Sequence, residues 1–326
     1  MSHASRSPEN PTAKLVSRLA EEQRRDCAAP ALAAARHVAQ RLGDAVLGVL
    51  FYGSCLRTGV LEDRILDFYV LVCDYRSAYD RRWLALGNRL LPPNVFYDEC
   101  TVDGHTVRSK YNVISLDDFR WQCRGAGRSV SIWARFAQPC ALLSARDDAV
   151  RNDVAAATAD AVRTALSSVL PLCPAGASSA EVWSAVFTRS YEAELRAEPP
   201  GKGREIYELD AARYDRLFAP TLAALGVTAK TGEGDVPRLP DDHAPGRMQQ
   251  TRARRAWRRW RLWSRTASLL RLVKGAFTFD GGIDYLAWKI GRHAGIEVAV
   301  TPWQRRHPIL GGLSLYWRLR RRGAFR

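Results

Sequence analysis

The alternation of apolar and polar positions in the first third of the chain predicts a small β-sheet. Candidate strands cover residues 45–52, 66–73, 95–102 and 105–115. The last two flank Asp103-Gly104, a dipeptide typical of a tight hairpin turn. The first ends at Gly53-Ser54, where glycine allows the backbone to turn sharply.

Most of the remaining chain shows apolar residues at helical spacing. Candidate helices cover residues 10–43, 76–91, 116–147, 149–170, 179–198 and 205–226. Pro92-Pro93 ends the second of these segments, because proline cannot continue a helix. Residues 228–250 are rich in glycine, proline and charge, which is typical of a linker.

These elements predict an α+β (α/β) fold in four parts. We expect a mixed sheet with helices at residues 1–147, followed by a helical domain at 148–227. The linker at 228–250 would then lead into a basic helical tail at 251–326. A chain of 326 residues is long enough to bury two cores of this kind.

The tail begins with an amphipathic helix rich in tryptophan and arginine. Trp257, Trp260 and Trp263 recur on its apolar face, and Arg258 and Arg259 fall between them. Tryptophan prefers the membrane interface and arginine prefers anionic headgroups, so we expect these residues to contact a membrane. Two alternatives stay open: a helix packed on its own protein with a solvated basic face, and a nucleic-acid-binding helix.

The net charge of +15 is concentrated at the C-terminal end. Residues 245–326 contain 19 lysines and arginines but only three acids, whereas the rest of the chain is nearly neutral. An anionic, extended partner is therefore expected, either a membrane surface or a nucleic acid. The seven cysteines form no C-x-x-C pair, which favours reduced thiols and makes a zinc site unlikely. Neither a secretory signal nor a membrane-spanning run is visible.

The chemistry-bearing pattern lies between the first two strands. Gly53 and Ser54 follow the first strand, and Asp67 opens the second. Backbone N–H groups and a serine hydroxyl after a glycine turn can hold phosphates, and an aspartate can hold the divalent cation that bridges them. This is the outline of a nucleotidyltransferase site, although an ordinary turn followed by a strand gives the same pattern. Tyr69 occupies the place where a second acid usually stands.

Six segments, taken in order, resemble the mitochondrial-type phosphatidate cytidylyltransferases, also called the translocator assembly and maintenance family. They are FYGSCL (51–56), LDFYVLV (66–72), NVFYDECTVDGHTVRSKYNVIS (94–115), GAGRSVSIWARFAQP (125–139), SYEAELR (190–196) and KGAFTFDGGIDYLAWKIGRH (274–293). The resemblance implies a nucleotidyltransferase-like core, a helical winged-helix-like domain and a membrane-binding C-terminal helix. In that family a single aspartate on the second strand is normal.

The resemblance also implies roles for individual residues. Asp67 and Glu194 would share Mg²⁺, with Mn²⁺ as an alternative, and Lys110 would reach a phosphate oxygen; these are the catalytic candidates. Gly53, Ser54, Arg128 and Arg196 would bind substrate. A solvated helix acid remains the alternative for Glu194, and an exposed strand lysine the alternative for Lys110.

The function implied is CMP transfer from CTP to phosphatidic acid, which gives CDP-diacylglycerol and pyrophosphate for anionic phospholipids such as cardiolipin. The expected partners are CTP, phosphatidic acid and an anionic membrane surface, with a homodimer allowed and nucleic acid not favoured. We expect a bacterial cytoplasmic protein bound peripherally to the inner membrane, with an organelle inner membrane left open. The alternatives are a nucleotidyltransferase acting on RNA or another acceptor, and a degenerate protein that only binds nucleotide and membrane.

Overall fold

The computed structural model describes residues 10–62, 64–194, 201–278 and 300–303. Within them, a mixed sheet contains five strands: β1 (Val46–Tyr52), β2 (Ile65–Val72), β3 (Asn94–Val102), β4 (His105–Ser115) and β5 (Cys140–Ala145). The strand order is β3-β4-β2-β1-β5. Strands β2 and β4 run parallel, and the other neighbouring pairs are antiparallel.

Helices surround this sheet and make up most of the chain after it. They are α1 (Pro11–Gln23), α2 (Ala29–Leu42), α3 (Ser54–Thr58), α4 (Arg82–Leu90), α5 (Leu116–Cys123), α6 (Ser131–Phe136), α7 (Asp148–Val169), α8 (Ser179–Ala193), α9 (Lys202–Glu208), α10 (Ala211–Ala224) and α11 (Arg247–Thr278). The expected α+β class is confirmed as a five-stranded mixed sheet with helices, followed by a largely helical C-terminal region.

The predicted hairpin is present with the expected turn. Asp103 and Gly104 have φ angles of 50° and 79°, and Val102 pairs with His105 on either side of them. Both central residues of this tight turn are left-handed, a conformation that aspartate tolerates and glycine adopts freely. The turn fixes the register of β3 against β4, and with it the position of Lys110.

The segment 116–147, expected to be mostly helical, contains two short helices and then a strand. Cys140–Ala145 forms β5 and pairs with β1, with Cys140 opposite Tyr52. A short apolar run such as CALLSA has no periodicity that separates a buried strand from a helix. Here tertiary pairing decides, because β5 satisfies the backbone groups of the open edge of β1.

The sheet carries a hydrophobic cluster on each face. One face packs against α2, with Val38, Phe68 and Val70 fully buried. The other face continues through α6 and α7 into α8 and α10 as one cluster, which includes Trp133 and Trp183. The sheet and the helical region are therefore joined by a shared core.

Residues 228–250, expected to be a linker, pack partly against the helical region. Leu239 is buried and its backbone N–H donates to Ala177 O at 2.9 Å. Two short strands, Lys230–Thr231 (β6) and Pro237–Arg238 (β7), pair with each other, and α11 already begins at Arg247.

The expectation that Trp257 and Trp260 contact a membrane is wrong for this structure. Both side chains are buried, their rings pack against Trp133, and Trp257 Nε1 donates to Ser168 O at 2.9 Å. The apolar stripe of α11 therefore covers its own protein, which was one of the alternatives. Trp263 remains 39% exposed, and Arg258 and Arg259 face outward.

Most of the predicted tail after α11, including residues 279–299 and 304–326, lies outside the described residues. In the part of the chain that is described, none of the helices is long and apolar enough to cross a membrane.

Candidate functional site

Five of the residues selected from the sequence lie around one cavity of about 480 Å³. They are Gly53, Ser54, Asp67, Lys110 and Glu194. The first four belong to the sheet and to the turn after β1, whereas Glu194 follows the last residue of α8. The cavity thus lies where the sheet meets the helical region.

The sheet register places three polar side chains in one row at this cavity. Tyr52 is opposite Asp67 in the antiparallel β1–β2 pair, and Asp67 is opposite Lys110 in the parallel β2–β4 pair. Directly opposed residues project from the same face of a sheet, so the row is a consequence of register. Lys110 Nζ lies 2.8 Å from Asp67 Oδ1, and both side chains remain partly exposed.

Gly53 allows the chain to turn closely around Asp67. Its φ of +92° is unfavourable for other residues, and a Cβ at this position would lie 3.0 Å from Asp67 Oδ2. Ser54 follows as the first residue of α3 and is exposed toward the cavity. Two independent features therefore favour glycine at position 53: its backbone conformation and the close approach of the Asp67 carboxylate.

Charges at the row influence each other. Asp67 raises the pKa of Lys110, whose burial opposes that effect, so the lysine is a cation at neutral pH. Burial, reinforced by Asp67, raises the pKa of Tyr52, so its phenol stays protonated and accepts a hydrogen bond from Asn112 Nδ2 at 3.1 Å. The row thus holds one carboxyl group, one cation and one neutral hydroxyl.

Tyr69 occupies the place of the second acid and has a different role. Its ring is buried beside Phe136, and its hydroxyl accepts a hydrogen bond from Arg135 Nη1 at 3.0 Å. The Arg135 guanidinium also lies 5.4 Å from the ring centroid of Tyr52, a cation–π distance. Tyr69 therefore positions an arginine at the cavity and is not available as a metal ligand.

Sequence reasoning missed three cations at the cavity, namely Arg57, Arg135 and Lys202. Arg57 Nη1 donates to Gln138 Oε1 at 3.1 Å, and Lys202 pairs with Glu205 at 2.7 Å. The position of Arg135 follows from the packing of α6 on β1 and β2, where the neighbouring Phe136 ring contacts Tyr52 and Tyr69. With Lys110, four cationic side chains and two carboxyl-bearing residues line the cavity, which suits a polyanionic ligand.

The lining of the cavity includes oxygen donors of the kind that a hard divalent cation binds. Asp67 and Glu194 together with the Ser54 hydroxyl supply oxygen ligands of the kind that Mg²⁺ and Mn²⁺ prefer. Among the described residues no group of three or more His, Cys, Asp or Glu side chains could hold a metal ion. Two protein carboxylates would therefore need oxygens of a bound phosphate and water to complete the coordination.

Of the two remaining predicted substrate-binding residues, the structure describes Arg128 alone. Arg128 is absent from the lining of the cavity, and its guanidinium stacks 4.7 Å from the ring centroid of Trp263 on α11. Arg196 lies outside the described residues.

Comparisons with known proteins do not assign the chain to a family. No protein-family model matches it, and a search of curated proteins found no match.

Proposed function

We propose that the protein is a nucleotidyltransferase that transfers CMP from CTP to phosphatidic acid, as the phosphatidate cytidylyltransferases do. The observation that carries this proposal is the meeting of Gly53, Ser54, Asp67, Lys110 and Glu194 at one cation-rich cavity. In this account the mixed sheet corresponds to a nucleotidyltransferase-like core, and the helical region to a winged-helix-like domain.

The cavity would position the triphosphate of CTP. Ser54 and the backbone after Gly53 would hold phosphate oxygens, and Lys110, Arg57 and Arg135 would neutralise their charge. Asp67 and Glu194 would hold Mg²⁺, which supplies charge neutralisation to the leaving pyrophosphate.

The reaction itself needs little chemistry from the side chains. An oxygen of the phosphatidic acid phosphate attacks the α-phosphorus of CTP, and the bond from that phosphorus to the bridging α–β oxygen breaks, so pyrophosphate leaves. A phosphate monoester is already anionic near neutral pH, so no strong general base is required. Catalysis by this chain then consists of positioning two anions and stabilising the charge that moves between them.

The exposed side of α11 is suited to binding an anionic membrane surface. Arg252, Arg254, Arg255, Arg258 and Arg259 all face outward, and residues 247–278 contain no acid. With Trp257 and Trp260 buried, these arginines and Trp263 are the membrane-facing candidates on this helix. A protein held this way at the cytoplasmic face of a bacterial inner membrane would meet its lipid substrate in the leaflet.

Tyr69 favours a second candidate, a catalytically degenerate protein that binds nucleotide without turning it over. Its buried ring leaves β2 with Asp67 as the one acid of the strand. A third candidate is a nucleotidyltransferase that acts on RNA, since an arginine-rich helix with an exposed tryptophan can also bind a polynucleotide.

Measuring pyrophosphate release distinguishes these three candidate functions. Purified protein is incubated with CTP and Mg²⁺, with phosphatidic acid in mixed micelles, with RNA, or with neither acceptor. Release that depends on phosphatidic acid supports the proposal, and release that depends on RNA replaces the lipid by a polynucleotide. Binding of CTP without release under any condition identifies the degenerate protein.

A further inference from the structure

Helix α4 presents an apolar face to solvent. Trp83, Leu86 and Leu90 are 46%, 58% and 75% exposed. Their spacing of three and four residues places all three on one side of the helix. Large apolar side chains exposed singly are ordinary, but three on one short helix form a contiguous patch that indicates a contact surface.

The opposite side of α4 is firmly held by the sheet. Ala85 and Asn88 are buried, Asn88 Nδ2 donates to Val113 O at 3.0 Å, and the backbone N–H of Asn94 donates to Asn88 Oδ1 at 2.8 Å. Asn94 in turn donates from Nδ2 to Leu84 O at 3.0 Å. These bonds fix which face points outward, so the exposed face is a property of the fold.

Positive charge flanks the apolar patch on the same helix. Arg82 and Arg89 are exposed on the flank of the same helix, and no acid occurs between Arg81 and Tyr97. The preceding acid is Asp80, just before the helix. An outward face of tryptophan and leucine bordered by arginines has the composition of a helix that lies in a membrane interface.

The C-terminal part of α11 adds to this region. Arg271 Nη2 donates to Pro92 O at 3.0 Å, and Lys274 Nζ donates to Pro93 O at 2.9 Å, directly after α4. Leu270, one turn before Lys274, is also exposed. The basic helix and the α4 face thus meet at the residues that follow α4.

We propose that the α4 face, defined as Trp83, Leu86 and Leu90 with Arg82 and Arg89, docks the protein on an anionic lipid bilayer. The three apolar side chains enter the interface while the arginines bind headgroup phosphates. A bilayer suits a convex helix with a positive border, whereas a protein partner would need a groove or acidic complement. This proposal rests on the proposed function, because an enzyme with a lipid substrate must reach a bilayer. Binding to vesicles can nevertheless be measured in the absence of nucleotide.

The test is flotation of the full chain with phosphatidylcholine vesicles that contain or lack phosphatidylglycerol, in the absence of CTP and Mg²⁺. We expect the triple variant Trp83→Ser, Leu86→Ser, Leu90→Ser to bind the anionic vesicles at least about tenfold more weakly than wild type. The matched control is Trp121→Ser with Leu209→Ser, which removes two comparably exposed apolar residues elsewhere and should bind as wild type does.

A charge variant keeps the test independent of the apolar substitutions. Arg82→Gln with Arg89→Gln should weaken binding to anionic vesicles and leave binding to neutral vesicles unchanged. Wild-type binding by the triple variant overturns the proposal, as does equal loss in the control. A wild-type dimer that the triple variant dissociates, with unchanged vesicle binding, also overturns it and assigns the face to a second copy. Docking without any CTP turnover would leave this proposal standing and sink the proposed function.

Discussion

Lys110 faces Asp67 across the parallel pairing of β2 and β4, with its ammonium nitrogen 2.8 Å from Oδ1. The other carboxylate oxygen, Oδ2, lies against Gly53. Asp67 thus pairs with Lys110, which the family resemblance selected, and lies close to the glycine turn that the sequence pattern selected. If the cavity holds Mg²⁺ as proposed, Asp67 would serve both the cation and Lys110, whose ammonium would remain within reach of a phosphate oxygen.

The ion pair makes stability depend on pH in a definite direction. Asp67 raises the pKa of Lys110, so the stabilisation is complete below the ordinary lysine pKa of about 10.4 and is lost as pH rises through the higher folded value. Lys110→Met should therefore lower the free energy of unfolding by a constant amount from about pH 7 to about pH 10, and by a smaller amount above that.

Urea unfolding of both proteins across this range measures the effect. Lys230→Met, which removes an exposed pair with Asp241, is the control and should change stability little. If the destabilisation by Lys110→Met already declines between about pH 7 and about pH 9, Asp67 does not raise the pKa of Lys110.

Gly53→Ala should damage both the fold and the site. With φ +92° and ψ −163°, Gly53 adopts a backbone conformation essentially restricted to glycine, which alone costs another residue about 1–3 kcal/mol in the free energy of unfolding, and the added methyl group would press on Asp67 Oδ2. Gly59→Ala is the control, since Gly59 also has positive φ, in the left-handed helical region at +71°, but open space around its Cβ position. Both variants should lose stability in urea unfolding, but only Gly53→Ala should lose CTP binding. Equal loss of binding in both would show that the approach to Asp67 is unimportant.

Glu194→Gln should weaken the use of the metal without unfolding the protein. The substitution removes one of two carboxylates at the cavity, so the Mg²⁺ concentration for half-maximal CTP binding should rise at least about tenfold. Glu192→Gln, two residues earlier on α8, breaks an exposed pair with Arg261 and should leave that concentration unchanged. A titration in which the two variants respond alike would remove Glu194 from the site.

Trp257→Ala should cost about 3–5 kcal/mol of stability, because the indole is buried against Trp133 and donates to Ser168 O. Trp263→Ala should cost less than about 1 kcal/mol, since this ring is 39% exposed and its cation–π contact is with the Arg128 guanidinium. Thermal and urea unfolding distinguish the two. A stable Trp257→Ala variant that loses vesicle binding would instead support the membrane role expected from the sequence.

The sequence was most informative where local rules decide the structure. The strands β1 and β2, the Asp103-Gly104 hairpin and the α7 helix follow from short-range patterns, and strand pairing then brings Asp67 and Lys110 together. Glu194 was selected through the family resemblance. No local sequence rule predicts that the end of α8 lies at the same cavity as Asp67 of β2.

Other features depend on tertiary packing and could not be predicted. Cys140–Ala145 became a strand because the edge of β1 was open to pairing, and Arg135 reached the cavity because Tyr69 accepts its hydrogen bond. The amphipathic period of α11 is the same whether its tryptophans meet lipid or protein. Tertiary contacts, with the Trp133 ring and for Trp257 also with Ser168 O, show that Trp257 and Trp260 face inward.

The most direct test of the cytidylyltransferase account follows the transferred group itself. Protein is incubated with Mg²⁺, phosphatidic acid micelles and CTP radiolabelled at the α-phosphate, and the label in the lipid phase is measured beside Asp67→Ala. The account predicts that label enters the lipid as CDP-diacylglycerol with wild type, and that Asp67→Ala lowers the rate by at least about a hundredfold. Label that stays in the aqueous phase with folded wild-type protein, or transfer that survives the loss of Asp67, would contradict it.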